Sequence, residues 1–430
     1  MRINFRSRKT WVIAGMAALA TLVGVLLYMN LVAGEKRIQH QLPRLYETND
    51  AEFRRSLSSL LGPPLVEGNH VDTLVNGDQI FPAMLAAIKS ARSSITFETY
   101  IYWSGEIGRQ FVEALTERAK AGVKVHVLLD WVGSIKMDTA LLEQMRAAGI
   151  EVERFHEPRW NNWAQMNNRT HRKLLVVDGA LGFTGGVGIA DQWLGDARNP
   201  DEWRDTHFRV AGPVVAQMQS VFPDNWMRAT GKVLHGEAYF PWLKPAGNYA
   251  AQMFSSSPSG GSESMQLMYL LAITAARKTI DLSNSYFVPD EMTIQTLMDA
   301  AKRGVKVRVI TPSGHIDSET VRKASRGSWG PMLKAGIQIA EYAPTMYHVK
   351  GPVVDGVFSS VGSTNFDNRS FRLNDEANLN VLNADFGRVQ AQVFERDWAK
   401  AGKITLAQWE DRPMVERLWE RLARLLHAQL

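Results

Sequence analysis

Two segments of the sequence place a histidine and a lysine two positions apart, just before a run that ends in Val-Val. Both segments have the same residue types at the same spacing: His171, Lys173 and Asp178, and again His348, Lys350 and Asp355. Residues two apart on a β-strand point to the same face, so each histidine and its lysine emerge together. An imidazole exchanges protons near neutral pH, and an ammonium group neutralises an anion. The pattern therefore indicates chemistry on a phosphodiester.

A glycine-rich turn follows each histidine at the same distance. The turns contribute Gly185 and Gly186 in the first copy, and Gly362, Ser363 and Asn365 in the second. One histidine near one lysine is typical of an ordinary strand end, but its repetition with matching turns favours a shared site. Two imidazoles and two ammonium groups that meet at an axis between the copies would form one site with fixed positive charge.

The wider chain repeats as well, which predicts two similar halves. Three segments pair with later ones: 86–102 with 271–287, 117–130 with 299–312, and 148–155 with 335–342. The pair ERAKAGVKVHVLLD and DAAKRGVKVRVITP reads as a helix, a glycine and a Val-rich strand. We predict an α/β fold of two tandem lobes packed as a pseudo-twofold pair. Each lobe would be a mixed, mostly parallel sheet flanked by helices.

Composition divides the chain into five predicted parts. They are a cytoplasmic basic tip and transmembrane anchor at 1–33, a linker at 34–60, a first lobe at 61–240, a second lobe at 241–400 and an amphipathic helix at 401–430. The apolar stripe of the last helix consists of Val415, Leu418, Trp419, Leu422, Leu425 and Leu426. Packing of this stripe on its own domain is the favoured interpretation, and a helix lying in a bilayer surface is the alternative.

An uncharged apolar stretch at 11–33 predicts a transmembrane helix, because about 20 residues suffice to cross a hydrocarbon core. The stretch exceeds the apolar core of a signal peptide, about 7–15 residues, which favours an anchor over a cleaved signal. Its basic neighbours are Arg2, Arg6, Arg8 and Lys9 before the span, and Lys36 and Arg37 after it. The positive-inside rule then predicts a single-pass protein with its N-terminus in the cytoplasm and its body outside; in a Gram-negative bacterium this would be the inner membrane, with the body on the periplasmic side.

Composition also excludes several classes of protein. The 430 residues, 45% hydrophobic and 22% charged, are typical of a folded chain of two or three domains. The chain has no cysteine, which excludes disulfides, thiolate metal sites and cysteine nucleophiles. The net charge is +5, but residues 1–44 hold seven basic side chains and one acidic one. The body is therefore nearly neutral, and no global positive field recruits nucleic acid.

The duplicated His-x-Lys-x4-Asp motifs and their turns resemble the signature of the phospholipase D superfamily. Within it, the chain is most similar to bacterial cardiolipin synthases, in the stretches FETYIYWSGEIG, NNRTHRKLLVVDG, WRDTHFRVAGP and GSTNFDNRSFRLNDEANL. One residue departs from the pattern, because Gly188 stands where many relatives have asparagine. Only Asn365 then remains as a phosphate-binding amide, and backbone N–H groups of the first turn would have to replace the other.

The resemblance implies a two-step reaction through a covalent phosphohistidine. His171 would attack the phosphorus, while His348 would protonate the departing alkoxide and later activate the incoming alcohol. The swapped assignment of the two histidines stays open. Lys173, Lys350 and Asn365 would hold the phosphate oxygens, a task that Mg²⁺ performs in other phosphoryl-transfer enzymes. We therefore expect no metal and no other cofactor.

Acidic residues downstream of each motif are implied to orient the imidazoles. Asp205 and Glu376 are the candidates, and a solvated loop carboxylate is the equal alternative for each. Asp178 and Asp355 are counted with the catalytic residues, although each precedes a glycine and could instead brace the turn after its strand. The supporting and substrate-binding residues are then Asn365, Ser363, Gly185, Gly186, Gly362, Asp205 and Glu376.

The expected substrate is the phospholipid phosphatidylglycerol. The anchor, the near-neutral body and the resemblance favour transfer of a phosphatidyl group from one phosphatidylglycerol to another, with release of glycerol. A membrane-anchored hydrolase or nuclease with the same two-histidine chemistry is the alternative, while a non-catalytic scaffold would require a broken motif. Nucleic acid is not an expected partner. Because one chain holds both motifs, the site requires no oligomer.

Two further sets of residues receive weaker interpretations. Trp160 and Trp163, just before the first motif, could meet lipid headgroups, while core packing or a plain loop is equally consistent. The other histidines lack a matching lysine in the repeat and are expected to be structural: His40, His70, His126, His156, His207, His235, His315 and His427.

Overall fold

The computed structural model of the protein describes residues 8–31, 38–158, 167–258, 260–261 and 263–424. Its helices are α1 (Arg8–Leu31), α2 (Ala51–Leu60), α3 (Asn76–Ser90), α4 (Glu106–Lys120), α5 (Thr139–Ala147), α6 (Val214–Thr230), α7 (Ser264–Ala275), α8 (Glu291–Lys302), α9 (Glu319–Gly327), α10 (Trp329–Lys334), α11 (Asn368–Arg372), α12 (Ala384–Trp398), α13 (Leu406–Glu410) and α14 (Met414–Arg424). The predictions for Trp160, Trp163, Leu425 and Leu426, and for the basic tip before Arg8, fall outside the described residues.

The strands complete the element order. They are β1 (Val66–Val75), β2 (Ser94–Thr99), β3 (Lys124–Asp130), β4 (Glu151–Phe155), β5 (Arg169–Thr170), β6 (Leu174–Val177), β7 (Leu181–Gly185), β8 (Thr206–Ala211), β9 (Tyr249–Ser256), β10 (Thr279–Asn284), β11 (Phe287–Val288), β12 (Lys306–Pro312), β13 (Gln338–Tyr342), β14 (Lys350–Val354), β15 (Phe358–Gly362), β16 (Phe366–Asp367), β17 (Asn374–Leu382) and β18 (Ala401–Ile404). A short 3-10 turn lies at Asp191–Trp193.

Most strands join one large sheet. Its order is β18-β13-β12-β10-β14-β15-β17-β9-β1-β8-β7-β6-β2-β3-β4, with β5 beside β17, and β11 and β16 form a separate pair. β1 and β9 pair at the middle of this sheet. Outward from them, one arm runs β8, β7, β6, β2, β3, β4 and the other runs β17, β15, β14, β10, β12, β13. The repeated sequence segments therefore occupy the same places in both arms.

The fold is α/β and its sheet is mixed, but the prediction of a mostly parallel sheet is wrong. Among the named strands of the described chain, the parallel pairs are β2–β3–β4, β10–β12–β13 and the short pairs β5–β17 and β11–β16. Helices such as α4 and α8 make the crossovers that parallel strands need. By contrast, β6–β7–β8 and β14–β15–β17 pair antiparallel. The helix–strand alternation in the sequence predicted the crossovers and missed these antiparallel strands.

Tight turns join β6 to β7 and β14 to β15. Each contains an Asp-Gly pair with positive φ, Asp178 at 53° and Gly179 at 61°, and Asp355 at 54° and Gly356 at 65°. Two consecutive left-handed residues match a type I′ turn, whose twist suits paired antiparallel strands. The same dipeptide therefore turns the chain back at the same point in both halves.

Helices cover the sheet over continuous apolar cores. Phe97 and Phe183 pack with α3 and α4 in the first half, and Leu282 and Phe358 pack with α7 and α8 in the second. A third cluster, which includes Met253 and residues of α6, spans the β1–β9 junction. Burial of apolar surface contributes about 25 cal/mol per Å² to stability. These cores hold the two halves in one arrangement, which is what positions a site between them.

The N-terminal helix α1 exposes its apolar side chains from Trp11 to Val25. Its segment Lys9–Leu26 has a mean hydropathy of 1.7, and none of it is buried. Trp11, for example, is 66% exposed. This helix is long and apolar enough, by length and composition, to cross a membrane.

The C-terminal helix α14 is amphipathic, but it begins later than the helix predicted at 401–430, because β18 and α13 precede it. The favoured orientation of its stripe is also wrong. The helix packs against α9 through Ala423, which joins an apolar cluster with Val321 and Ala324. The described members of the predicted stripe are instead exposed: Val415, Leu418, Trp419 and Leu422. A stripe packed on its own domain would have been buried.

Candidate active site

The histidines of both motifs line one cavity of about 650 Å³, together with Lys173 of the first motif, whereas Lys350 lies buried behind His348. Its lining includes His171 and Lys173 from the first half and His348 and Asn365 from the second. Residues that follow the carboxyl ends of β2 and β10 also line it, as Tyr100 and Tyr286 do. In α/β sheets this edge is where side chains from neighbouring strands converge on a ligand.

Each histidine is fixed by the backbone of the opposite half. The His171 N–H donates to the carbonyl of Asp375 at 2.9 Å, and β5 pairs with β17 directly before it. The His348 N–H donates to the carbonyl of Arg204 at 2.8 Å. The two motifs are therefore clamped reciprocally, and displacement of one half would displace the histidine of the other.

The imidazoles are oriented in the same crossed way. His171 Nδ1 lies 2.9 Å from Glu376 Oε1, so a second-half carboxylate holds the first-half histidine. His348 Nδ1 lies 2.7 Å from Asp205 Oδ2, so a first-half carboxylate holds the second-half histidine. A carboxylate at Nδ1 keeps the proton there and leaves Nε2 as the nitrogen that can attack or transfer a proton.

Neither carboxylate is a solvated loop group, because Asp205 and Glu376 are both 0% exposed. Asp205 also accepts hydrogen bonds from Trp193 Nε1 at 3.0 Å and from the Thr206 N–H at 2.8 Å. Glu376 also accepts from the hydroxyl of Ser363. The structure thus places both acids, and the predicted Ser363, in contact with the histidines or their partners.

The two lysines lie beside their own histidines. Lys173 Nζ donates to the His171 carbonyl at 2.8 Å, and Lys350 Nζ donates to the His348 carbonyl at 2.8 Å. Lys350 Nζ also lies 3.1 Å from His348 Nε2. Both lysines are buried, so a phosphate that enters the cavity meets concentrated positive charge with little competing water.

Burial governs the protonation of the histidines. It lowers the pKa of His171 to about 4 against the opposing effect of Glu376. Burial together with the Lys350 ammonium lowers the pKa of His348 to about 3. Both imidazoles are therefore neutral at pH 7 in the empty cavity, which suits a nucleophile.

The pKa values of the lysines and carboxylates around the histidines are shifted as well. Burial and the neighbouring Lys350 lower the pKa of Lys173 to about 7, and burial lowers the pKa of Lys350 to about 8. Burial alone would raise the pKa of Glu376, but its hydrogen bonds and the nearby His171 and lysine outweigh burial and lower it to about 2. The pKa of Asp205 is lowered in the same way, by His348 and Lys350 against burial.

Asp178 and Asp355 lie away from the cavity, at the turn ends of β6 and β14. The Asp178 carboxylate accepts from the backbone N–H groups of residues 92–94. The Asp355 carboxylate accepts from those of residues 277–279. This placement does not match the predicted catalytic role and agrees with the alternative, bracing of the turn. Each aspartate ties the start of its neighbouring strand to the hairpin.

The turn glycines make room for the site. A Cβ on Gly186 would lie 2.2 Å from the Asp205 carboxylate, and one on Gly185 would meet the backbone of Thr206 at 2.6 Å. A Cβ on Gly362 would lie 2.3 Å from the Ala377 carbonyl. These glycines let the turns approach β8 and β17, the strands that border the acids.

The structure gives a steric reason for glycine at position 188, where many relatives have asparagine. A Cβ there would lie 2.7 Å from the Cβ of Ile101, so the position has no room for an asparagine side chain. In the second half, Asn365 lines the cavity and accepts a hydrogen bond from the Ser285 hydroxyl at 2.7 Å. The two halves therefore offer unequal polar groups to a phosphate.

Comparison with known proteins identifies the family. A family model described as "Cardiolipin synthase, PLD-like domain" matches residues 84–222 and 269–398. The cardiolipin synthase of Geobacillus kaustophilus is 36% identical over 366 residues, 84% of this chain and 73% of that one. Cardiolipin synthase A of Pseudomonas entomophila is 35% identical over 381 residues, 88% of this chain and 79% of that one. The chain belongs to the phospholipase D-like cardiolipin synthase family. The resemblance seen in the sequence is thus confirmed.

A solved structure shows that the fold of this family member is shared more widely. Phosphatidylserine synthase from Haemophilus influenzae superposes with a TM-score of 0.66 at 13% identity, and the match covers 88% of this chain and 100% of that one. At this identity the likeness concerns the fold alone.

Aromatic residues of this cardiolipin synthase family member frame both histidines, and sequence reasoning missed them. The ring of Tyr100 lies 5.2 Å from that of His171, and those of Trp193 and Trp203 lie 5.3 and 5.6 Å from that of His348. Tyr100 and Trp203 lie inside the stretches FETYIYWSGEIG and WRDTHFRVAGP. Their position directly after β2 and next to Asp205 was the available signal. These rings exclude water from the imidazoles and lower the local dielectric.

The structure also shows whether clusters of its side chains could bind a metal ion. Within the described ranges, no group of three or more His, Cys, Asp or Glu side chains is arranged to hold a metal ion. The expectation of metal-free chemistry stays a prediction.

Proposed function

We propose that the protein is a cardiolipin synthase that transfers a phosphatidyl group from one phosphatidylglycerol to the hydroxyl of another and releases glycerol. The observation that supports it most is the crossed arrangement of His171 with Glu376 and of His348 with Asp205 around one cavity. Two such imidazoles can serve as nucleophile and as acid–base catalyst on one phosphorus atom. Family membership supplies the substrate class.

In the proposed first step, His171 Nε2 attacks the phosphorus of phosphatidylglycerol and forms a P–N bond. The P–O bond to the headgroup glycerol breaks, and His348 gives its proton to the departing oxygen. His348 must therefore be protonated before the step, although its pKa in the empty cavity is about 3. The bound phosphodiester brings a negative charge that raises this pKa, so substrate binding itself recruits the proton.

In the proposed second step, His348 accepts the proton of the second phosphatidylglycerol hydroxyl. The hydroxyl oxygen attacks the phosphorus, the P–N bond breaks and neutral His171 is restored. Lys173, Lys350 and Asn365 face the non-bridging oxygens and stabilise the charge that grows on them. The two steps are chemically symmetric, and water in place of the second alcohol would give hydrolysis.

The proposal extends to the architecture and the location of the protein. The halves at 61–240 and 241–400 are two lobes related by a pseudo-twofold axis, supported by their matching strand order and crossed contacts. One chain supplies both histidines. The segment 1–33 anchors the body to the bacterial inner membrane, with the body on the periplasmic side, supported by the exposed apolar helix α1 and the flanking charges.

The direct test is to incubate the purified full-length protein with phosphatidylglycerol vesicles and identify the products. We expect cardiolipin and glycerol in equal amounts. Phosphatidic acid as the sole lipid product would instead assign a hydrolase, and degradation of added DNA would assign a nuclease. A protein denatured before the incubation is the control for spontaneous exchange.

The shifted pKa values predict a bell-shaped pH profile. Below about pH 4, His171 becomes protonated and loses its attacking lone pair, so kcat/KM falls. At higher pH, His348 is neutral in the free enzyme and a proton must be taken up with the substrate, so kcat/KM falls as the pH rises, and it falls more steeply above about pH 7 to 8, where Lys173 and then Lys350 lose their protons. The bound phosphodiester favours the charged form of the lysines. The decrease in kcat should therefore begin at a higher pH than the decrease in kcat/KM. A kcat/KM that rises steadily from pH 6 to 9 would contradict this assignment of the lysines.

A further inference from the structure

Helix α14 exposes its apolar face and turns its polar face to the protein. Its outward stripe, hereafter the α14 stripe, consists of Met414 at 84% exposure, Val415 at 66%, Leu418 at 57%, Trp419 at 54% and Leu422 at 45%. On a surface helix the apolar stripe ordinarily faces the core and the charged residues face solvent. The reverse orientation leaves a continuous apolar surface without a partner among the described residues.

The inward face of α14 is held by specific polar contacts. Glu420 is 3% exposed and accepts hydrogen bonds from Arg412 Nε at 3.1 Å and Nη2 at 2.7 Å. Next to it, Ala423 packs on Val321 and Ala324 of α9. Glu420 Oε1 also lies 3.7 Å from Arg326 Nε of α9, so rotation of α14 would leave a buried charge without its partner on α9, which is costly. The outward direction of the α14 stripe is therefore fixed by the fold.

Charge around the α14 stripe fits an anionic surface. Arg421 is exposed and lies one turn after Leu418. Lys323 of α9 places its Nζ 5.7 Å from the centre of the Trp419 ring. Tryptophan and basic residues beside an apolar stripe are the features of helices that lie in the interface of an anionic bilayer. The exposed apolar helix α1 is a second segment of the chain with the composition of a membrane-binding helix.

Helix α14 is also close to the cavity. Val321 of α9 packs against Ala423 of α14 and lines the cavity that holds His171 and His348. Helix α9 therefore lies between α14 and the cavity, so a membrane bound to the α14 stripe would be two helices from the reacting groups.

We propose that α14 docks on the surface of an anionic lipid bilayer, with the α14 stripe among the acyl chains and Arg421 and Lys323 at the lipid phosphates. The docked helix holds the body at the membrane independently of α1. The docking surface does not depend on the chemistry of the cavity, so it stands apart from the proposed transferase activity.

The absence of native cysteine allows a clean test in the full-length protein. Leu418→Cys is labelled with an environment-sensitive fluorophore and reconstituted in vesicles of phosphatidylcholine with phosphatidic acid, which has no alcohol headgroup to exchange. Val389→Cys on α12 is the matched control, because Val389 is also an exposed apolar helix residue, at 43%. We expect emission at position 418 to rise about twofold or more over detergent and to be quenched by a lipid-borne quencher, because the helix enters the interface. Position 389 should change little.

Two results would overturn the docking surface. One is a label at position 418 that behaves like that at 389 in vesicles. The other is burial of that label in detergent as protein concentration rises, which would assign the α14 stripe to a second copy of the chain. If position 418 is protected while the wild-type protein makes no cardiolipin, docking stands and the proposed function fails.

A second variant gives the docking surface a functional readout. Leu418→Gln together with Leu422→Gln should lower the ratio of activity on vesicles to activity on monomeric short-chain phosphatidylglycerol by about tenfold. The reason is that two leucines that insert into the bilayer in the proposed docked state are lost. Val389→Gln should leave this ratio at the wild-type value. An unchanged ratio in the double variant would also count against docking.

Discussion

His171→Gln and His348→Gln are each expected to lower cardiolipin formation from phosphatidylglycerol by about a thousandfold or more, because each removes one of the two groups that act on the phosphorus. Both rings are buried and held by hydrogen bonds, and glutamine keeps a polar side chain of similar length. His235→Gln, at an exposed histidine, is the control and should retain wild-type activity.

A substrate with a good leaving group can distinguish the catalytic roles of the two histidines. Phosphatidyl-p-nitrophenol releases a phenolate that needs no proton, so the first step then requires the nucleophile but not the acid. We expect His348→Gln to release about one equivalent of nitrophenol per enzyme and to accumulate a phosphatidyl group on His171, detectable by mass spectrometry of the intact protein and its peptides. His171→Gln should show neither. A phosphatidyl group found on His348 in the His171→Gln variant would establish the swapped assignment.

Glu376→Gln and Asp205→Asn should lower kcat by about 10²–10⁴-fold while the protein stays folded, since the loss concerns orientation and charge at the imidazoles. An amide can donate toward Nδ1, which favours the tautomer with its proton on Nε2 and removes the attacking lone pair of His171. The removal of either carboxylate also leaves the lysine charges less balanced, so the pKa of the facing histidine should fall further.

The crossed contacts make the two acid variants differ by step. Glu376 holds His171, so Glu376→Gln should abolish the nitrophenol burst. Asp205 holds His348, so Asp205→Asn should keep the burst and lose turnover. Glu113→Gln, at an exposed position on α4, should match the wild type in both assays. If Asp205→Asn lost the burst and Glu376→Gln kept it, each acid would serve the histidine of its own half, against the geometry seen here. Circular dichroism and thermal unfolding of all three variants check that the fold is intact.

Much of the site could be predicted from local sequence. The period of two along a strand placed each histidine beside its lysine, as at His171 and Lys173. The Asp-Gly dipeptides indicated the turns that the structure shows after β6 and β14, although not the antiparallel pairing of the strands that these turns join. The apolar N-terminal run predicted α1, because helix length and hydropathy are properties of a segment by itself. Such features depend on neighbours in the chain, so one sequence suffices to read them.

Other features depended on contacts between distant segments. Asp205 and Glu376 were recognised as candidates, but the sequence order suggested no exchange between halves, whereas each acid holds the histidine of the other half. Asp178 shares the motif with His171 yet lies at the opposite end of β6, where it ties down backbone N–H groups. The aromatic rings around the histidines come from loops whose positions only the packed sheet determines.

The sequence by itself determined the chemical groups, their spacing within each strand, the duplication and the amphipathic helices, because these follow from residue type and local backbone geometry. The tertiary structure decided how the halves exchange their acids, which strands pair antiparallel and which way α14 faces. The direction of α14 illustrates the reason. Its periodicity gives an apolar face, but the contacts of Glu420 and Ala423 with the distant helix α9 turn that face outward, and such contacts are set by the packing of the whole chain.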